Sequence, residues 1–299
     1  MRLRAVAELD NGQTDKALAD VRLILYLAGS IHHEPIEESF EVQTALVDQA
    51  VQPVWEGLAR RQWSADQLAA LEQDLAGIDA AKGYDYAMRA GLAFNLGTIE
   101  YLRTARMANS LTDWNDKIMW LPTLGYRLSP SGWFYLNERA TALLFEAALP
   151  TAAEAEQQVI SPAIYERVRH AEGLARRPHP IPDSLWLAFV PPLALEAMHC
   201  ARVQAGVDLA RTACALERYR QARGSYPEKL DGLAPQFIES LPHDIINGQP
   251  LHYRRTDAGK FVLYSVGWDG KDDGGVPEAG KLFLEVNPKG DWVWQYPGE

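Results

Sequence analysis

Cys214-Ala215-Leu216-Glu217-Arg218-Tyr219-Arg220-Gln221-Ala222-Arg223-Gly224-Ser225-Tyr226-Pro227 is where the chain changes period. Upstream, Leu209, Ala213, Leu216 and Tyr219 form one apolar stripe at helical spacing, with Val203, Val207, Ala210 and Cys214 beside it. Pro191-Pro192 suits the first turn of such a helix and Gly224 suits its left-handed cap. The predicted helix is roughly 45 Å long at 1.5 Å per residue. Downstream the pattern alternates. Leu251 and Tyr253 point one way, Phe261 and Leu263 alternate with Val262, Tyr264 and Val266, and Leu282, Leu284 and Val286 alternate again. Asp257-Ala258-Gly259 reads as a hairpin loop and Trp292-Val293-Trp294 as a short last strand. Residues 182–299 are therefore expected to be α+β, with one long helix on a small antiparallel sheet.

Residues 1–181 read as a helical domain. Leu18, Val21, Leu25 and Ala28 follow a turn at Asn11-Gly12, and the opening has the pattern of a tetratricopeptide-type helical hairpin. Ser64-Ala65-Asp66-Gln67 is a capping box opening a helix with Leu68, Leu71 and Leu75 on one face. That helix is expected to end near Gly77 or Lys82-Gly83. Further helices are expected around Tyr86 to Ala105, Gly132 to Ala148 and Ser161 to Arg176, with a loop from Thr123 to Ser131. Arg176-Arg177-Pro178-His179-Pro180-Ile181-Pro182 is the clearest linker, because its prolines cannot continue a helix. The fold class is mainly α with a C-terminal α+β part.

Composition narrows the function classes. The 299 residues are 47% apolar and 23% charged, which is ordinary globular composition, and the net charge of −11 disfavours binding to phosphate backbones. Cys200 and Cys214 fall on the long helix, roughly 20 Å apart, outside disulfide reach. Met1 to Glu8 carries no signal-peptide run, and the apolar stretch from Ser184 to Leu195 is too short and too proline-broken to cross a bilayer. The opening hairpin starts abruptly, which leads us to expect further sequence upstream, with room there for a membrane anchor.

Five short segments, taken in order, resemble the major pseudopilin of bacterial type II secretion systems. They are Ala215-Leu216-Glu217-Arg218-Tyr219-Arg220, Gly224-Ser225-Tyr226-Pro227, Leu241-Pro242-His243-Asp244, Asn247-Gly248-Gln249-Pro250-Leu251-His252-Tyr253, and Leu263 through Gly275. The resemblance covers residues 205 to 295. The whole chain also looks like a group of bacterial proteins with a helical region ahead of a pilin-like end. It departs from a true pseudopilin in having neither the prepilin cleavage site nor the apolar filament helix. The resemblance implies a structural module outside the cytoplasm, in the cell envelope, with a calcium ion (Ca2+) in the loop after the Tyr-Ser strand. The matching metal ligands are Asp269, Asp272, Asp273 and, ahead of the last strand, Asp291.

The loop's own chemistry allows that reading. Calcium takes six to eight hard oxygen ligands from carboxylates and carbonyls, and Asp269-Gly270-Lys271-Asp272-Asp273-Gly274-Gly275 offers three carboxylates among glycines that permit tight curvature. The same composition also suits a solvated acidic turn. The loop is not an EF-hand, since with Asp269 as position 1, Lys271 takes a ligand position and Gly280 stands where the bidentate Glu belongs.

Other motifs fail on spacing. His32-His33-Glu34-Pro35-Ile36-Glu37 lacks the second His four residues on that a zinc-protease helix needs and reads as a solvated helix start, and His243 and His252 are lone histidines of a turn and a strand. No Gly-x-Ser-x-Gly elbow, P-loop or dinucleotide fingerprint occurs. No general acid–base carboxylate pair can be picked out among the many acids. Trp55, Trp63, Trp114, Trp120, Trp133 and Trp186 suit either a groove or the core. The reading is of a non-catalytic structural or interaction protein with a protein partner, no nucleic-acid partner and no membrane span in the chain. The alternatives are an enzyme with its site in the helical domain, and a scaffold whose loop binds nothing.

Overall fold

The computed structural model describes residues 1–32, 34–105, 129–175, 192–256, 259–277 and 289–294. Its helices are α1 (Arg2–Asp10), α2 (Thr14–Ser30), α3 (Glu37–Ala59), α4 (Ala65–Ala76), α5 (Ala80–Ala105), α6 (Ser131–Ala148), α7 (Ala152–Glu156), α8 (Ala163–Ala175) and α9 (Leu193–Arg223). A 3-10 turn (Leu230–Leu233) leads to β1 (His252–Arg255), β2 (Phe261–Ser265) and β3 (Trp292–Trp294). The strands form one antiparallel sheet in the order β1-β2-β3, with Tyr253 opposite Leu263 and Leu263 opposite Trp294. The chain is thus mainly helical with a small antiparallel sheet near its C-terminus. The 176–182 linker, the hairpin residues Asp257 and Ala258, the alternating stretch around Leu282 to Val286, and Trp114, Trp120 and Trp186 lie outside the described residues. No described helix is long and apolar enough to cross a membrane.

The local signals place the elements. α1 and α2 form a hairpin across Asn11-Gly12, where Gly12 takes φ +70°. Ser64 Oγ accepts the amide of Gln67, and Gln67 Oε1 accepts the amide of Ser64, completing the box at the start of α4. The Gln67 amide nitrogen then donates to Thr14 Oγ1 and, at 2.7 Å, to Asp15 Oδ1, tying α4 to the start of α2. α9 ends as its sequence predicts, at Gly224 with φ +83°.

Two helix boundaries differ from expectation. α4 stops at Gly77, the first of its two expected ends, but α5 begins at Ala80, ahead of the expected Tyr86, so Lys82-Gly83 lies inside a helix. Gly83 is placed for close approach, because a Cβ there would stand 3.2 Å from the Phe40 ring of α3. Of α3 only a start, at His32 to Glu37, is expected from the sequence, and its run to Ala59 is not. It carries Pro53 in its interior, a residue with no amide proton to give to the helical ladder, yet Pro53 is buried. Packing outweighs local propensity there.

α9 is the common wall of two cores. One gathers α1 to α4 and the sheet around Val203, Val207, Leu209, Ala213 and Leu216. The other gathers α5, α6 and α8 around Leu193, Ala197, Cys200 and Ala201, and extends to Val266, Trp268 and Trp292. The segments on either side of residue 181 therefore share buried surface along the helix. At the closest point of the first core, Trp63 donates its Nε1 hydrogen to Val54 O at 3.2 Å, and a Cβ on Gly57 would come within 2.1 Å of that nitrogen. Gly57→Ala is expected to cost about 1–3 kcal/mol in urea unfolding, since the indole has no free space to retreat into. A cost under about 0.5 kcal/mol would show that the indole relocates freely.

Candidate functional site

The acidic loop starts from a rigid base. Val266 and Trp268 are buried against Ile245, Ile246 and Trp292, so the chain leaves β2 already anchored on both sides. Gly267, Gly270, Gly274 and Gly275 all take positive φ, between 68° and 81°. At Gly267 a second constraint applies, because a Cβ would lie 2.3 Å from the carbonyl oxygen of Gly290. Only glycine lets the loop's first residue pass that close to the strand that brings in Asp291.

Asp291 draws the loop back onto the sheet. Its carboxylate is buried, with Oδ1 accepting the Asp273 amide at 3.2 Å and Oδ2 the Gly275 amide at 2.6 Å. Its own amide donates to Val276 O at 2.8 Å. Asp272 caps the other side, its Oδ1 accepting the Tyr264 hydroxyl and the Gly274 amide, each at 2.9 Å. Asp269 Oδ1 accepts the Lys271 amide in a local turn. His252 stacks on the Tyr264 ring at 4.8 Å and brings Nδ1 to 3.4 Å from Asp272 Oδ2.

The electrostatics separate the acids. Burial raises the Asp291 pKa, and the amides of Gly275 and Asp273 oppose that rise, while the charges of Asp272 and Asp273 add to it. Asp272 is held below the ordinary carboxylate range, first by the Gly274 amide and then by the Tyr264 hydroxyl. The Tyr264 phenol is pushed up to about 12, by burial and by that bond to Asp272. Three of the four predicted ligands, Asp272, Asp273 and Asp291, thus stand near enough to act on one another, and Asp269 stays at the outer turn. The donor set is all oxygen, which suits a hard cation, and carboxylate repulsion would be relieved by one. Among the described residues no group of three or more His, Cys, Asp or Glu side chains is placed so that it could hold a metal ion. A cation would therefore need side-chain rotation in the loop and carbonyl or water oxygens to complete its shell.

Asp244 is the functional neighbour that sequence reasoning did not single out. It is 1% exposed, and its carboxylate accepts the Ile246 amide, the Ser265 hydroxyl and the Val266 amide, all within 3.0 Å. It pins the root of the loop to the Asn247-Gly248 turn. Its signal was present in Leu241-Pro242-His243-Asp244, but a turn Asp ordinarily caps its own turn and not a strand twenty residues away.

Elsewhere the rejected motifs stay apart. His32 Nδ1 meets Gln43 Nε2 at 3.1 Å, and Glu34 accepts the Ser39 hydroxyl. Cys200 and Cys214 are buried free thiols. Two clefts open on the helical side. One of about 320 Å³ lies between α3 and β3, lined by Asp48, Gln52, Trp55 and Trp294. The other, of about 250 Å³, is lined by Leu25, Phe40, Gln43, Asp79 and Val203. Glu37, Glu196 and His199, whose proton affinities are displaced, line neither.

Asp291→Ala removes the acceptor that closes the loop. Losing a bond worth about 1.4 kcal/mol should speed hydrogen exchange at the Asp273 and Gly275 amides roughly tenfold, leaving α4 unchanged. Unaltered exchange would mean that the glycine turns alone hold the loop. No protein-family model, curated protein or solved structure matches the chain.

Proposed function

We propose that this is a non-catalytic structural or protein-interaction protein whose C-terminal part is a pseudopilin-like module stabilised by calcium, working outside the cytoplasm with a protein partner. The observation that carries the reading is the closure of a glycine-rich acidic loop onto buried Asp291, with Asp272 and Asp273 adding negative charge at the same place. The surrounding order of parts supports it. A long helix ends at a left-handed glycine, a segment pinned by Asp244 follows, and an antiparallel sheet carries the loop after its Tyr264-Ser265 strand. In the bound state Asp291 and Asp272 or Asp273 would supply carboxylate oxygens, with Asp269 reached by rotation of the outer turn. The ion would neutralise their mutual repulsion and fasten the loop to β3. The enzyme alternative draws less support, because the groups with displaced proton affinities sit away from the two clefts described.

Thermal unfolding with calcium, magnesium or chelator tests the reading. A site of about 0.1 mM dissociation constant gains roughly 1.4 kcal/mol at about 1 mM calcium. At about 2–4 °C per kcal/mol for a chain of this size, Tm should rise by roughly 3–6 °C. Magnesium, which resists dehydration, should give less than half of that. Asp269→Ala, which removes a proposed ligand and only one local turn contact, should abolish most of the calcium response while leaving the chelator Tm within about 1 °C. Identical melts in all three conditions would overturn the calcium reading.

A further inference from the structure

The cleft of about 250 Å³ takes its walls from both cores. Leu25, Val47, Ile78 and Val203 belong to the first, and Phe40 and Ala80 to the second. The polar groups among these walls are engaged within the fold. Thr44 gives its hydroxyl to Phe40 O at 3.0 Å, and Gln43 Nε2 meets His32 Nδ1 at 3.1 Å. Water inside such a space finds few partners, so an apolar group that displaces it gains affinity.

The charge around the cleft has one sign. Apart from His32, the ionisable side chains that line it are Asp74 and Asp79. Asp74 is partly answered by Arg22, whose Nε donates to it at 2.6 Å. Asp79 is exposed, and its Oδ1 accepts the Lys82 amide at 2.9 Å, which leaves Oδ2 to a ligand. Two helices also end here. Ala28 and Gly29 form the last turn of α2, and Gly77 and Ile78 directly follow α4. Each C-terminus adds partial negative charge, equivalent to about half an elementary charge. α5 begins at the same place, but its positive end is already met. Asp79 caps it with a full charge, and the Ala80 amide donates to Gln204 Oε1 at 2.8 Å.

We propose that this cleft binds a small amine with an apolar body. The ring or chain would lie among Leu25, Phe40, Val47 and Val203, with the ammonium at the mouth beside Asp79. Size agrees with that choice. A closed apolar cavity of about 150 Å³ is enough to hold benzene. The 250 Å³ here therefore admits such a ring with a short arm. A neutral molecule of the same shape would gain only the burial. An anion would face Asp74, Asp79 and two helix C-termini. The site lies in the helical region, does not involve the acidic loop, and stands whether or not calcium binds there.

Three probes of one shape and different charge test the proposal on the whole protein. They are 2-phenylethylammonium, 2-phenylethanol and 3-phenylpropanoate, each titrated at low salt and followed by saturation-transfer NMR. The amine should bind with a dissociation constant of about 1 mM or below. The alcohol should bind about threefold to fivefold more weakly, as expected for loss of one exposed ion pair, and the acid should show no transfer. Asp79→Asn keeps an oxygen for the Lys82 amide, so it should lower the amine to the affinity of the alcohol and leave the alcohol unchanged. Ala28→Leu adds bulk to a wall residue that is 2% exposed, and should weaken amine and alcohol together by about tenfold. Val203→Ile adds bulk from the α9 side and serves if Ala28→Leu does not fold. Absence of transfer from the amine overturns the proposal, as does equal transfer from all three probes. So does a preference for the amine that survives Asp79→Asn, or binding that the bulky variants leave unchanged.

Discussion

α9 is buried on most sides over most of its length, with only the stripe of Leu195, His199, Arg202 and Gly206 left part-open in its first half, and the rest of the structure follows from that. Buried positions from Leu193 to Glu217 cover the other sides of the helix. A helix apolar on one stripe needs one partner layer, whereas one buried on most sides needs several. α3 and α4 cover one flank, α5, α6 and α8 another, and the sheet with the 3-10 turn covers the C-terminal half. None of these layers is complete without the helix, so the helical region and the small sheet behave as parts of one packed body around it. The same enclosure explains why the polar side chains of α9 matter so much. Asp208 is 6% exposed and is pushed to about 6 by burial, against the pull of Gln204 and Arg211. Arg211 in turn reaches Glu72 of α4 at 3.1 Å, fastening the two helices where they touch most.

Legibility tracked how local each signal is. The capping box at Ser64, the left-handed stop at Gly224 and the strand from Phe261 depend on neighbours within four residues, and each stands where the sequence puts it, although Leu263, Tyr264 and Ser265 are all buried and do not alternate. α3 was legible only at its start, where Glu37 and Glu38 suit the positive end of a helix, because Pro53 argues locally against the long helix that tertiary burial sustains. Gly77 was the readable stop of α4, while Gly83, the other candidate, serves close contact with Phe40. At the acidic loop, the glycines and acids were readable as a turn able to hold oxygen ligands. That Asp291 would accept two loop amides, and that Asp244 would reach Ser265 and Val266, depends on folding across sixteen or more residues.

Four buried carboxyl groups show how one problem is solved in different ways. Glu217 is 2% exposed and answers with a cation and a phenol, since Arg220 binds both of its oxygens and Tyr226 gives its hydroxyl at 2.8 Å. Asp244 answers with two amides and a hydroxyl. Asp291 has two amides but also two acidic neighbours, so its charge is only partly met. Glu196 is buried, and beyond that burial the acids Glu41 and Glu37 of α3 raise its pKa. Among the described residues the order runs from full compensation to the least, and sensitivity to the medium should follow it. A carboxylate bonded to a guanidinium gains little from any solute, because nothing remains to neutralise. One held by amides among like charges is improved by a cation, and one facing another acid is improved only by a proton. The C-terminal end of α9, fixed by Glu217, is thereby the rigid reference of the molecule. Its two less fully compensated carboxyls lie elsewhere, at the loop that meets β3 and near the start of α9, and the helix between them is packed into both cores.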